Sequence, residues 1–289
     1  MSHTRQLGLI ANDTKPGARE LVYSLVREFR RHQIELLLET RSGQLIGADQ
    51  TYTERELADR CEMLIVLGGD GTILQALHAL EDRLVPFFGI NSGTLGFLTT
   101  VSAPEYLRAV ESIVNRTFQL SERTLLKVEI LRDGVVVASH IALNDAVVSR
   151  GELSRLIRLA VRIGEIPVTE YNADGLIVAT PTGSTAYSLS AGGPILAPES
   201  GVFVVNPICP HVLTNRAVIV NDRSPIEIIP ADQRSSIFLT LDGQVVHEVE
   251  PRDTLRITKA AQTLSLAMFP EMSFFEVLRQ KLKWSGTAI

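Results

Sequence analysis

The stretch Gly68-Gly69-Asp70-Gly71-Thr72 directly follows the apolar run Met63-Leu64-Ile65-Val66-Leu67. A short run of branched side chains ended by glycines is the pattern of a strand buried on both faces. The glycines then take the chain out of the sheet on nearly bare backbone. A polyanion can approach those main-chain N–H groups, and a helix beginning near Thr72 presents its positive end to the same place. A carboxylate at the centre of such a loop is out of place if the loop only holds phosphate, because like charges repel at short range. It fits if Asp70 takes a proton from a nucleophile or works through a metal ion, which is the chemistry of phosphoryl transfer. A tight turn with Asp as the helix cap would use the same residue types. The rest of the chain has to decide between the two.

Strands and helices alternate through the first third of the chain. Strands are expected at Leu7 to Ala11, Ile34 to Leu38, Met63 to Leu67 and Pro86 to Ile90. Helices are expected after Pro16-Gly17, from Thr53 to Cys61, from Ile73 to Glu81 and from Ala103 to Val114, with a polar loop over Arg41 to Tyr52. This rhythm implies a parallel sheet with helices on both faces. Near Thr117 the pattern changes to short strands. Asp133-Gly134 and Asp242-Gly243 mark hairpins, and long helical periodicity is nearly absent up to Met268. The expected organisation is therefore an α/β domain over 1–117, a mostly antiparallel β domain over 118–268, and a C-terminal helix over 269–289. That helix carries Phe274, Phe275 and Leu278 and is expected to pack on the first domain.

Composition narrows the function. With 289 residues, 45% hydrophobic and 21% charged, the chain has an ordinary globular balance, and no window approaches the ~18 apolar residues of a membrane span. The first residues carry no signal-peptide core, so a cytoplasmic location is expected. A net charge of −5 argues against nucleic-acid binding by broad electrostatics. Cys61 and Cys209 form no paired motif and read as small buried residues, and the six histidines show no metal-ligand spacing.

Three further stretches carry chemistry. Thr180 to Pro194 follows a strand and places six serine or threonine hydroxyls within eleven residues. Such a segment can donate to phosphates, sugars and base edges without adding charge, or it can simply cap a helix that Gly192-Gly193-Pro194 ends. Asn144-Asp145 follows a strand and suits a turn as well as a site. Gly89 to Leu98, with Asn91, follows the last parallel strand, and ligands of open α/β sheets bind at the carboxyl ends of such strands. A cleft between that edge and the β domain is the expected site. The P-loop signature is absent, and Leu74 stands where a dinucleotide fingerprint needs its third glycine.

Taken in order, these four stretches resemble the NAD kinase family along essentially the whole chain. The Gly-Gly-Asp-Gly-Thr loop is shared with lipid kinases and phosphofructokinases, while the long Thr180–Pro194 stretch is more specific. The resemblance implies ATP-dependent phosphorylation of the adenosine-ribose 2′-hydroxyl of NAD, giving NADP. It implies Asp70 as the base, and Gly68, Gly69, Gly71, Thr72 and Asn91 about the phosphates of ATP. It places NAD against Asp70, Gly71, Asn144, Asp145, Arg155, Asn172, Asp174, Gln244 and the run Thr185, Ala186, Tyr187, Ser188, Leu189 and Ser190. It also implies Mg²⁺ with ATP, and a homo-oligomer, dimer or tetramer. The Asn-Asp pair departs from the family's usual Asn-Glu, and Asn172 stands where many bacterial relatives carry a basic residue. A lipid or sugar kinase with the same loop, or a dinucleotide sensor without turnover, are the rival readings.

Overall fold

A computed structural model describes residues 5–93, 96–151, 156–212, 214–231 and 236–284. The chain divides into two compact units, Met1–Glu122 with Leu264–Ile289, and Arg123–Thr263. The division falls inside two long strands, so each unit takes a part of both.

The first unit runs β1 (Arg5–Ala11), α1 (Ala18–Arg31), β2 (Ile34–Leu38), α2 (Thr40–Ile46), α3 (Glu54–Arg60), β3 (Leu64–Gly68), α4 (Asp70–Leu80), β4 (Phe87–Asn91), β5 (Val101–Ser102) and α5 (Tyr106–Asn115). Its strands lie parallel in the order β2-β1-β3-β4, with β5 and Leu266 also pairing with β4. β3 and β4 are buried along their whole length, as apolar runs without alternation require. Leu9, Leu25, Phe29, Ile65, Phe88 and Ile90 join one core between sheet and helices.

Two local features differ from the sequence reading. The segment expected as a polar loop contains α2, because Glu39 caps it by accepting from the N–H groups of Arg41 and Ser42, and Gly47 closes it at φ 68°. End chemistry outweighs a weak apolar pattern there. α4 begins at Asp70, not at Thr72, with Gly69 as its N-cap.

The second unit runs β6 (Gln119–Arg132), β7 (Val135–Ala142), β8 (Asp145–Arg150), β9 (Ile157–Ile163), β10 (Ile166–Ala173), β11 (Gly175–Ala179), the one-turn α6 (Tyr187–Ser190), β12 (Val202–Ile208), β13 (Val218–Asn221), β14 (Ile226–Pro230), β15 (Ile237–Leu241), β16 (Val245–Val249) and β17 (Asp253–Met268). One sheet carries β10-β9-β14-β17 with β6 and β7, and the other β13-β12-β11-β8-β15-β16. Neighbours β9–β10, β9–β14, β14–β17 and β6–β7 pair antiparallel, as do all those of the second sheet. Alternate residues of both sheets, among them Leu126, Val128, Val148, Val161, Val178, Phe203, Leu239 and Ile257, meet in one core. The Asp133-Gly134 and Asp242-Gly243 turns have φ of 49° and 81°, and of 52° and 66°. Two consecutive positive φ angles match the twist of the strands they join.

The chain ends with α7 (Phe274–Leu282) in the first unit, where Val277 and Leu278 are buried and the Phe274 ring lies 6.4 Å from that of Phe97. Phe275, expected on the packed face, is 62% exposed. At 3.6 residues per turn Phe274, Val277 and Leu278 share a stripe that the next residue cannot join. The cysteines also part company. Cys61 is buried, and desolvation, with a smaller contribution from Glu35, pushes its thiol up to about 12. Cys209, expected to be buried, is exposed in the left-handed region at φ 44°, where the chain leaves β12. Among the described residues no helix is long and apolar enough to cross a membrane.

Candidate active site

In the first unit the glycine loop is shaped by Thr72. Its buried side chain folds back against Gly68, where any Cβ would overlap the hydroxyl, so this position admits only glycine. A Cβ on Gly69 or Gly71 would meet nothing, which leaves the backbone around Asp70 open to a ligand. The first turn of α4 has no earlier helical carbonyls for its N–H groups, and its dipole favours an anion there.

Asp70 is held from the other side of the loop after β4. Its Oδ2 accepts from Phe97 N at 2.9 Å and its Oδ1 from Leu98 N at 3.1 Å. Each carboxylate oxygen has two lone pairs, so Asp70 is fixed in orientation while keeping acceptor capacity. Asn91 is engaged inside its own loop. Its amide donates to Thr99 Oγ1 at 3.1 Å, and its carbonyl oxygen accepts from Gly93 N at 2.7 Å. It shapes the segment that reaches Asp70.

A cavity of about 450 Å³ opens beside the start of α4, lined by Ala11, Asn12, Asp13, Glu39, Arg41, Thr72 and Gln75 among others. Asn12 reaches Thr72 Oγ1 at 3.4 Å. Among the described residues Arg41 is the one cation of this lining. No sequence signal pointed to it, because α2 brings it there from a segment with no motif.

In the second unit a cavity of about 420 Å³ lies on the outer face of the β8 and β15 strands, lined by Asn144, Asp145, Val147, Ser149, Ala186, Tyr187, Thr240, Asp242 and Gly243. The period of two sorts β8 cleanly: Asp145, Val147 and Ser149 line the cavity, whereas Ala146 and Val148 enter the core. Gly183 lies directly on the backbone of Asn144, closely enough that a Cβ would overlap its carbonyl. Thr180 binds the same turn, donating from Oγ1 to Leu143 O at 2.5 Å, while its N–H donates to Asn144 O at 2.9 Å.

The hydroxyls of the Thr180–Pro194 stretch mostly serve this scaffold. Ser184 donates to Pro181 O at 2.6 Å and accepts from Leu196 N at 2.9 Å. Thr185 donates to Thr182 O at 3.1 Å, and Ser188 lies buried against Asn206. From this stretch it is Ala186 and the half-exposed Tyr187 that line the cavity. Thr185, Ser188, Leu189 and Ser190 do not.

Of the other predicted positions, Asp174 accepts from Arg150 Nε at 2.7 Å, the Asn172 carbonyl accepts from His211 N, and Gln244 sits in the β15–β16 turn. None of the three lines the cavity, and Arg155 lies outside the described residues. Asp242, which the sequence marked only as a hairpin turn, is buried at the cavity wall. Its carboxylate accepts from Leu143 N at 2.8 Å, Asn144 N at 2.7 Å and Asp145 N at 3.0 Å. Asp145 is 4% exposed, and burial, with Asp242 as the smaller cause, pushes its carboxyl up to about 7.

The arrangement offers an anion-receptive helix start with a positioned carboxylate in one unit, and in the other a pocket that sets two buried carboxyl groups and the Tyr187 ring on a largely apolar lining. Comparison with known proteins bears on both. Residues 7–118 match the ATP-NAD kinase N-terminal domain, and residues 143–269 match the ATP-NAD kinase C-terminal domain. An NAD kinase of Solibacter usitatus is 41% identical over 277 residues, covering 96% of each chain. One of Trichlorobacter lovleyi is 37% identical over 281 residues, covering 97% of this chain and 99% of the relative. Among solved structures, the yeast NADH kinase complexed with NADH superposes with a TM-score of 0.90 at 24% identity, over 99% of this chain and 89% of that one. An NAD kinase from Archaeoglobus fulgidus in complex with ATP does so with a TM-score of 0.77 at 26% identity, over 97% of this chain and all of the other.

Proposed function

The chain belongs to the NAD kinase family, and we propose that it divides the ATP-dependent phosphorylation of NAD between its two units, the first supplying base and phosphate contacts, the second recognising NAD. The acceptor is the adenosine-ribose 2′-hydroxyl and the product NADP. The observation that carries this division is Asp70, clamped on two main-chain N–H groups at the start of α4.

In a loose phosphoryl-transfer transition state, positioning and electrostatic stabilisation supply most of the rate. Asp70 accepts the proton of the attacking hydroxyl, so its fixed orientation contributes directly. The N–H groups at Asp70 and Gly71 receive phosphate oxygens. The cavity beside α4 takes the rest of the donor, with Arg41 as its cation. In the second unit Asn144, Asp145 and Tyr187 bind NAD, the ring of Tyr187 offering a flat surface on which a base can stack.

Among the described residues no group of three or more His, Cys, Asp or Glu side chains could cage a metal ion. Mg²⁺ commonly takes one or two carboxylates together with phosphate oxygens and water. The anion-receptive start of α4 beside the Asp70 carboxylate suits an ion that arrives on the triphosphate. When bound with ATP, Mg²⁺ neutralises phosphate charge. The same reading carries a cytoplasmic location and a homo-oligomer, dimer or tetramer, whose size sedimentation measures.

Two variants test the division. Asp70→Asn should lower kcat by roughly 10²–10⁴, the usual contribution of a positioned base, with nucleotide affinity unchanged or slightly higher. Tyr187→Ala should raise KM for NAD several-fold and leave KM for ATP unchanged. An Asp70→Asn enzyme with retained kcat and weakened nucleotide binding would reduce Asp70 to a loop-shaping cap.

A further inference from the structure

Asp145 and Asp242 bring two carboxyl groups to one wall of the second unit's cavity, and their partners differ completely. Asp242 is 7% exposed and accepts from three consecutive main-chain N–H groups, those of Leu143, Asn144 and Asp145. Its own N–H donates to Asp145 O at 3.0 Å, so each residue holds the other's backbone. The Asp145 side chain is more buried still, and among the described residues its carboxyl has no hydrogen-bond partner. It faces the cavity.

The described lining residues supply no countercharge. Asn144 just before β8 and Val147 and Ser149 within it add to the lining, with Thr240 from β15 and Ala186 and Tyr187 from the 180–187 segment. Besides the two aspartates, Tyr187 is the one titratable side chain among the described lining residues. Among the described residues no lysine, arginine or histidine lines the cavity. β11, paired beside Asp145, contributes Ala179 at that register. A carboxylate without donors or a cation, set beside a second one fixed by three N–H donors, is the one that gives up its charge.

We propose that Asp242 is a positioning residue that both locks the Asn144–Asp145 backbone and keeps Asp145 a protonated acid facing NAD, so that NAD binding takes up a proton. The inference rests on the assignment of this cavity to NAD. Burial acting on Asp145 points the same way. NAD brings a pyrophosphate carrying negative charge, and its entry expels water from around Asp145. Both effects favour the neutral acid further. As pH rises through about 7, where free Asp145 ionises, binding then requires re-protonation and weakens.

The test is NAD affinity by calorimetry on the whole protein at pH 6 and pH 8, in buffers of different ionisation enthalpy. For the unaltered protein Kd should rise about tenfold between the two, the factor that one group titrating near 7 imposes when only its acid form binds, with proton uptake at pH 8. Asp145→Asn cannot titrate and should give the same Kd at both. Asp242→Asn keeps two of the three N–H contacts while removing the charge, and should move the midpoint to lower pH. A Kd equal at both pH values in the unaltered protein, or an unchanged pH dependence in Asp145→Asn, overturns the proposal, even if Asp242→Asn does not fold. Tyr187→Ala separates this from an error in the pocket. If it leaves NAD affinity untouched at every pH, the cavity is not the NAD site. If it weakens NAD binding while affinity remains independent of pH, only the protonation inference falls.

Discussion

Gly96 lies so close against Asp70 that a Cβ on it would overlap the carboxylate. The two residues sit on different elements, one opening α4 and the other in the loop after β4. The N–H groups of Phe97 and Leu98 reach Asp70 only because position 96 has no side chain. The orientation of the proposed base therefore depends on a glycine 26 residues away.

Gly96→Ala should accordingly behave as an indirect lesion at Asp70. Relief of the overlap shifts either the carboxylate or the 96–98 backbone, at a stability cost of about 1–3 kcal/mol. kcat should fall by roughly tenfold or more, with KM for NAD little changed. Steady-state kinetics and urea unfolding on the same preparation check both halves, and full activity in a folded Gly96→Ala enzyme would release Asp70 from this constraint.

Ser184 should be structural in spite of lying in the hydroxyl-rich stretch. Its Oγ donates to Pro181 O and accepts from Leu196 N in a fully buried site. Ser184→Ala leaves Leu196 N–H without its partner and Pro181 O with only the longer contact from Ser184 N at 3.3 Å, costing about 1–3 kcal/mol. Denaturant unfolding should register that loss, while KM for NAD changes less than about twofold.

Leu278 and Phe275 on α7 form an internal control for its docking. Leu278 is 3% exposed and Phe275 62%. Leu278→Ala should destabilise by about 2–5 kcal/mol, and Phe275→Ala by under about 0.5 kcal/mol. Comparable losses in the two variants would mean that α7 presents a different face to the first unit.

Asp145 also makes a prediction about stability. Its folded carboxyl titrates near 7, above the usual carboxylate value of 3.8. A carboxyl raised on folding contributes fully below its unfolded value and loses that contribution as pH climbs through the folded one. Removing the charge should thus help only at the alkaline end. Asp145→Asn should leave stability at pH 4 nearly unchanged and raise it by a few kcal/mol at pH 8, read from melting or denaturant curves at the two pH values. A variant equally stabilised at both would trace the gain to packing, not to ionisation.

Periodicity and turn chemistry made most of the architecture legible. The apolar run ending at Leu67 had to be a buried strand, and its glycines had to end it. Asp133-Gly134 and Asp242-Gly243 had to be hairpins, since few other pairs accept two positive φ angles in sequence. The helix α2 was not legible, because a carboxylate cap and a closing glycine hold it, with little apolar pattern. Phe275 showed that composition assigns a helix a greasy face without saying which of two adjacent rings will occupy it.

Local residue chemistry thus determined the elements, the glycine loop with its central acid, and the family to which the chain belongs. These depend on interactions spanning a few residues, which a sequence displays directly. Tertiary structure alone decided which hydroxyls of Thr180–Pro194 turn inward, why Gly96 and Gly183 can carry no side chain, and that Arg41 reaches the cavity beside α4. It alone set Asp242 against Asp145 across 97 residues of chain. Contacts of that span leave no periodic trace, and a carboxyl's charge depends on burial and neighbours that exist only once the strands have paired.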